Sequence, residues 1–258
     1  MEILNFNPAE LESFLYVFVR VGVIILFSPI LGSGAVPVKL RIGLILLISF
    51  LVFPSVKLLA MPQPRGGFAL ALYMISEATI GLAIAYAARL VFAAVQLGGT
   101  MIDFQMGFGV VNVIDPQTAS QVSITAQFQN ILAIFIFLAT DVHHLIIQTI
   151  VDSFHTIDPS KFAFSSATME IVVQLFAAAF VTGIKLAAPV MAILFFISVG
   201  LGLVARTVPQ MNVFILGFPL QIAAGLIMVG LSMSLFSAML QDYFAGLAGG
   251  FRGLLQSM

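Results

Sequence analysis

Cysteine is missing altogether from this sequence, which excludes a disulfide framework, a thiolate nucleophile and a cysteine zinc site and leaves the redox compartment unread. Tryptophan is missing too, so the strongest interfacial anchor is gone and four Tyr and twenty-five Phe are left to mark any membrane border. Charge is scarce: 8% of the residues are Asp, Glu, Lys or Arg, where a soluble domain carries about 25%. Because those four residue types normally face water, there are too few here to wrap a soluble core. Neither sign is in excess, with a net charge of -1 and a pI near 6.3, so the electrostatic footprint of a nucleic-acid partner is absent. The first dozen residues hold Glu2, Glu10 and Glu12 and no Lys or Arg. A secretory signal peptide starts with a basic region, so the first apolar stretch is expected to stay in the mature protein.

What fills the chain is apolar matter, 61% of its 258 residues, with a mean hydropathy of +1.15. A bilayer is crossed by a helix of about 20 apolar residues, and six stretches qualify: 13–31, 42–60, 68–97, 128–151, 169–204 and 213–240. The fold class expected is all-α, a polytopic membrane-type helical protein. Within the fifth stretch Pro189 predicts a kink or a break, since proline removes a backbone donor and clashes with the preceding turn. Small residues four apart at Gly81/Ala85, Ala83/Ala87 and Ala179/Gly183 predict close helix packing. Between 121 and 129 apolar and polar residues alternate as in a strand. A lone strand at membrane depth leaves its amides unsatisfied, so this piece is assigned to the polar start of the fourth helix.

The connectors are short and rich in Pro and Gly, apart from a longer interlude at 98–130 in which Asp103, Gln105, Asn112, Asp115 and Gln117 interrupt a glycine-rich apolar run. Non-helical backbone at membrane depth must be buried in protein or line a water-filled cavity. A flexible apolar loop over a conduit fits that constraint, and an ordinary surface loop fits it equally. Basic residues flank both of the first two connectors, Lys39 and Arg41 at one and Lys57 and Arg65 at the other. A simple serpentine would put these on opposite sides, against the positive-inside rule. Either one helix pair does not span, or the protein is not a conventional bilayer resident.

Ionisable groups inside apolar runs are the default functional candidates, here Arg20, Glu77, Arg89, Glu170, Lys185 and Arg206. Glu77 and Arg89 would lie about 18 Å apart along a helix and about 120° apart around it, too far to pair. Each needs a partner on another helix, another subunit or water, or else lines a polar path. His143 and His144 follow Asp141, but adjacent helical residues point about 100° apart, so a metal is not expected. No nucleophile triad, phosphate-cradling loop or paired carboxylates on one helix face is present. The chain reads as a non-enzyme without a cofactor.

Two stretches carry a family likeness. Gly98-Gly99-Thr100-Met101-Ile102-Asp103-Phe104-Gln105-Met106-Gly107-Phe108-Gly109, followed by Asp115-Pro116-Gln117, resembles the central signature of the FliR family of type III export-gate subunits. Arg206-Thr207-Val208-Pro209-Gln210-Met211-Asn212-Val213-Phe214-Ile215-Leu216-Gly217-Phe218-Pro219-Leu220-Gln221 resembles its C-terminal signature. The likeness extends over essentially the whole chain. It implies one copy in a flagellar export gate with FliP and FliQ, beside FlhB, that conducts unfolded flagellar subunits driven by an ATPase and the proton motive force. It further implies a FliP-like portion at 1–165 and a FliQ-like hairpin at 166–258. The address implied is the bacterial inner membrane at the flagellar basal body, in contact with lipid and protruding toward the periplasm. On the same likeness 106–122 would be a channel plug, using Met106, Gly107, Phe108, Gly109, Val110, Val111, Asn112, Asp115, Pro116 and Gln117. The hairpin tip would contact partners through Arg206, Pro209, Gln210 and Asn212, and Arg20, Glu77, Arg89 and Lys185 would make contacts between helices or subunits. The alternatives are the equivalent subunit of a virulence injectisome, a solute transporter or channel acting alone, and a purely structural scaffold.

Overall fold

An apolar segment away from water must satisfy its own backbone, which an α-helix does within one segment, and the chain is helical accordingly. The computed structural model describes residues 8–34, 36–57, 66–108, 123–158, 162, 165–208, 210 and 212–258. Among them are eight helices: α1 (Pro8–Phe27), α2 (Val38–Lys57), α3 (Gly67–Met106), α4 (Ile124–Ala139), α5 (Val142–Thr156), α6 (Ser166–Thr207), α7 (Val213–Leu231) and α8 (Met233–Ser257). The described residues contain no strand, and the alternating piece at 121–129 enters helix from Ile124 onward.

Several expected boundaries move. Pro189 lies inside α6, which continues unbroken for 42 residues; proline removes one helical hydrogen bond, and the ladder on either side carries the helix past it. The stretch expected at 128–151 as one span is two helices. Thr140 closes α4 by donating its N–H to the Ile136 carbonyl at 2.9 Å, and Asp141 takes a left-handed conformation (φ 56°) before α5. The last stretch likewise divides at Ser232, between α7 and α8. Three helices are long and apolar enough to cross a membrane, or up to five if each bent pair makes one span, against the six expected. The first expected span drops out because the 20 residues of α1 include Glu10, Glu12 and Arg20.

By compactness the chain divides into two units. The first comprises Met1–Leu90, Asp141–Phe176 and Gly246–Met258, and the second Val91–Thr140 and Ala177–Ala245.

In the first unit the Arg20 guanidinium, fully buried, donates from Nε to Glu77 Oε2 at 2.5 Å and from Nη1 to Ser153 Oγ at 3.0 Å. Its Cζ also sits 4.0 Å from the centroid of the Phe154 ring. One side chain of α1 thereby fixes α3 and α5. The helices approach closely beside it: a Cβ added to Gly81 would lie 2.9 Å from the Arg20 carbonyl oxygen. At the other end of the unit, the Ser165 and Thr168 hydroxyls donate to the Ser257 carbonyl at 2.9 and 2.7 Å, tying the start of α6 to the end of α8.

The second unit has a core of Ile102, Met106, Ala187, Val190, Leu194 and Val229. A separate aromatic group brings Phe92, Phe137 and Phe244 within 6.4 Å of one another, centroid to centroid. Here α3 and α6 meet backbone to backbone: a Cβ on Gly98 would lie 2.8 Å from the Gly183 carbonyl oxygen, and one on Gly183 would lie 2.8 Å from that of Ala94. Of the small-residue positions noted in the sequence, Gly81 and Gly183 thus sit at close helix contacts.

Removing one member of a buried ion pair strands the other charge, at about 3–5 kcal/mol, whereas replacing both by apolar residues is often neutral. Glu77→Ala is therefore expected to destabilise the protein by about 3–5 kcal/mol, and the pair Arg20→Met with Glu77→Leu to recover most of that loss. Unfolding of the purified protein in detergent measures both; a Glu77→Ala protein as stable as the parent would show that the pair does not hold the unit.

Candidate functional site

The end of α3 is built by a glycine. Gly107 has φ 92°, its N–H donates to the Phe104 carbonyl at 3.1 Å, and the Phe108 N–H reaches back to the Asp103 carbonyl at 3.1 Å. These two bonds form a Schellman cap, in which a left-handed residue satisfies the last free carbonyls of a helix. The apolar contact that accompanies such caps is present as well, since Phe108 packs on the cluster containing Ile102 and Met106.

The C-terminal signature lies against this cap. A Cβ added to Gly107 would lie 2.6 Å from Cδ1 of Phe218, and one added to Gly225 would run into the Met106 side chain. Gln221 ties α7 to α6 by donating from Nε2 to Ser198 Oγ at 3.0 Å. The two signature segments, far apart in the chain, are neighbours in the second unit. Of the residues expected to form a plug, Met106 is buried and Gly107 and Phe108 are half-buried, while Gly109, Val110, Val111, Asn112, Asp115, Pro116 and Gln117 lie outside the described residues. Of the residues expected at a hairpin tip, Arg206, Gln210 and Asn212 are exposed, and Pro209 lies outside the described residues.

Asp103, one turn before the cap, is a buried residue only 5% exposed. Its Oδ2 accepts from the Ser123 hydroxyl at 2.5 Å and from the Thr125 N–H at 3.1 Å. Ser123 in turn caps α4, its Oγ accepting from the Ala126 N–H at 3.0 Å. Close packing continues beside it, because a Cβ on Gly99 would collide with the Ala126 backbone.

Among the other candidates, Arg20 and Glu77 meet in the pair described above. Arg89 and Lys185 are exposed in the middle of α3 and α6, and neither has an ion pair among the described residues. Glu170 is exposed on α6 and accepts a 3.4 Å bond from Gln174. Asp141, His143 and His144 lie together at the start of α5. The left-handed backbone at Asp141 swings its carboxylate to within 3.3 Å of His144 Nδ1 and 4.0 Å of His143 Nε2. All three donor atoms lie within 4.8 Å of one another, a set that could hold a divalent transition metal despite the 100° step between helical neighbours.

Sequence reasoning missed two contributors. Ser123 was legible, since a serine directly before an apolar run is an N-cap signal. Phe218 facing Gly107 was not, because no local pattern encodes a contact between such distant segments.

The chain matches the family model of bacterial export proteins, family 1, over residues 11–247. It is 36% identical over 237 residues to a flagellar biosynthetic protein FliR of Bacillus subtilis (strain 168), covering 90% of each chain. It is 30% identical to a FliR of Pectobacterium carotovorum over 94% of each, and 28% identical to that of Escherichia coli (strain K12) over 91% of this chain and 89% of the relative.

Replacing Gly107 by Ala forces a β-carbon into a left-handed conformation, at about 1–2 kcal/mol, and drives it into the Phe218 ring. Thermal unfolding is expected to show a loss of at least that size. In a Phe218→Ala background the steric part should vanish and the conformational part remain; equal losses in both backgrounds would mean that the ring does not abut the cap.

Proposed function

The chain belongs to family 1 of the bacterial export proteins, the FliR family of integral membrane components of flagellar export, and from this premise we propose that it is one subunit of a gated channel for unfolded flagellar proteins. Membership in this family assigns transport to it and not catalysis. In this reading a single copy joins FliP and FliQ, with FlhB alongside, and the assembly protrudes toward the periplasm. Residues 1–165 take the FliP-like role and 166–258 the FliQ-like role, with the tip at Arg206, Pro209, Gln210 and Asn212 touching partners.

The observation that carries the proposal is the packing of Gly107 and Phe108 against Phe218 and the α3/α6/α7 core. Phe218 belongs to the second family signature, and its contact with Gly107 supports a plug that begins beside that signature. The segment itself has glycines for hinging, Phe108, Val110 and Val111 to exclude water, and no charge before Asp115. Two further features favour a partnered state. Large apolar side chains face outward on α2, α6 and α7, among them Leu51 (69%), Phe196 (69%) and Ile215 (68% exposed), and they require lipid or neighbouring helices. Arg89 and Lys185, exposed in long apolar helices, call for carboxylates or water supplied from outside the chain.

Conduction in such a gate is passive, with opening and energy supplied from elsewhere. Removing residues 107–111 is expected to make membranes containing the co-expressed gate leak ions and small solutes; a leak equal to that of the intact gate would remove the plug role. Purification through a C-terminal tag should recover this chain in a larger complex with FliP and FliQ, whereas a stable lone monomer would favour a self-sufficient transporter.

A further inference from the structure

The chain leaves α3 at Asp103–Phe108 and re-enters helix at Ser123, and one residue holds both ends. The main-chain carbonyl of Asp103 accepts from the Phe108 N–H at 3.1 Å. The carboxylate of the same residue accepts from the Ser123 hydroxyl at 2.5 Å and the Thr125 N–H at 3.1 Å. Ser123 then passes the connection on to the Ala126 N–H. Twenty residues separate Asp103 from Ser123, yet both ends are fixed to one peptide unit and its side chain.

The choice of residue is costly as a means of stability. Asp103 is buried, and its Oδ1 is buried without a hydrogen-bond partner among the described residues. A buried ionised group that is only partly hydrogen-bonded loses more hydration than a neutral one. What an aspartate offers in return is two charge-assisted bonds from one oxygen to two donors on α4, at a distance that a neutral side chain in van der Waals contact would leave adjustable. The neighbouring contacts leave little slack: a Cβ on Gly99 would overlap the Ala126 backbone, so α3 and the start of α4 touch directly beneath the clasp.

We propose that Asp103 is a positioning residue of the export gate, holding the end of α3 and the start of α4 together so that the connection between them is rooted at a fixed place beside Phe218. The inference rests on the gate reading above for its consequence, and on hydrogen bonds alone for its geometry. Loss of the carboxylate frees the start of α4 from the end of α3 while leaving the Schellman cap, which uses only main-chain atoms, in place. The root then loosens without any change in the apolar faces through which the chain would meet its partners.

The test compares the intact chain with Asp103→Ala, Asp103→Asn and the 107–111 deletion, each co-purified with the rest of the gate, by two measurements. Hydrogen exchange in a peptide covering residues 124–128 reads the clasp directly. A hydrogen bond to a charged group contributes about 1.5–3 kcal/mol, so Asp103→Ala should speed exchange at Thr125 roughly tenfold or more. Asp103→Asn keeps an oxygen that can still accept from both donors but loses the charge, and should fall between the two. Passive ion leak in membranes reads the consequence: Asp103→Ala should leak several-fold more than the parent while assembling to the same level, with Asp103→Asn again intermediate. Unchanged exchange in both variants overturns the clasp. Exchange that rises without a leak, in membranes where the 107–111 deletion does leak, overturns the positioning role. A deletion that does not leak removes the plug reading instead, and the exchange result then still decides whether the clasp exists. If Asp103→Ala fails to assemble, Asp103→Asn carries both measurements, and an assembled Asp103→Asn identical to the parent in both counts against the proposal.

Discussion

A charge enclosed among apolar helices fixes whatever surrounds it, because its lost hydration can be replaced only by partners at defined distances and directions. With 8% of its residues charged, this chain uses that constraint sparingly and to large effect. Arg20 spends its guanidinium on three elements at once: the Glu77 carboxylate on α3, the Ser153 hydroxyl and the Phe154 ring on α5. Apolar surface alone would let these helices slide or rotate with little penalty, since one aliphatic contact resembles the next. The planar, multiply bonded guanidinium admits one arrangement. Asp103 does the same in the second unit, on the smaller scale of one helix end and one helix start.

Between these polar fixings the helices are held by shape. Gly81 lets α3 lie on the backbone of α1, and Gly98 with Gly183 lets α3 and α6 touch main chain to main chain. Small residues at crossings serve membrane helices in this way because, where lipid is as apolar as the side chains, close van der Waals contact replaces the hydrophobic effect as the source of attraction. Gly107 combines both kinds of constraint. Its positive φ ends α3, and its lack of a side chain admits the Phe218 ring, so one glycine both terminates a helix and docks the two signature segments of an export-family protein.

Much of this was legible beforehand, for reasons that differ from element to element. The stretch 68–97 announces α3 through its long, mostly apolar run, and the four-residue spacing Ala179/Gly183 announces a crossing. The two signatures identified the family before any geometry was known. Boundaries were less legible. Pro189 predicts a kink or a break and α6 does not break there, because a proline removes a single bond from a ladder that α6 extends over 42 residues. Thr140–Asp141 did not look like a stop and is one, because the left-handed turn at Asp141 belongs to a conformation that non-glycine residues rarely adopt. Asp141 with its two histidines shows the same limit: helical spacing says nothing of a carboxylate arriving from outside the helix.

Composition decided the class of molecule. Too little charge to face water, and enough apolar length to cross a bilayer, leave an α-helical membrane protein as the arrangement in which every backbone amide is satisfied. Partner choice belongs to the folded chain. That Arg20 finds Glu77 and not some other acid, that Asp103 spans to Ser123, and that Gly107 meets Phe218 all depend on distances between segments far apart in sequence. Local propensity acts over a few residues, and only packing in three dimensions selects which distant groups come within hydrogen-bond or van der Waals reach.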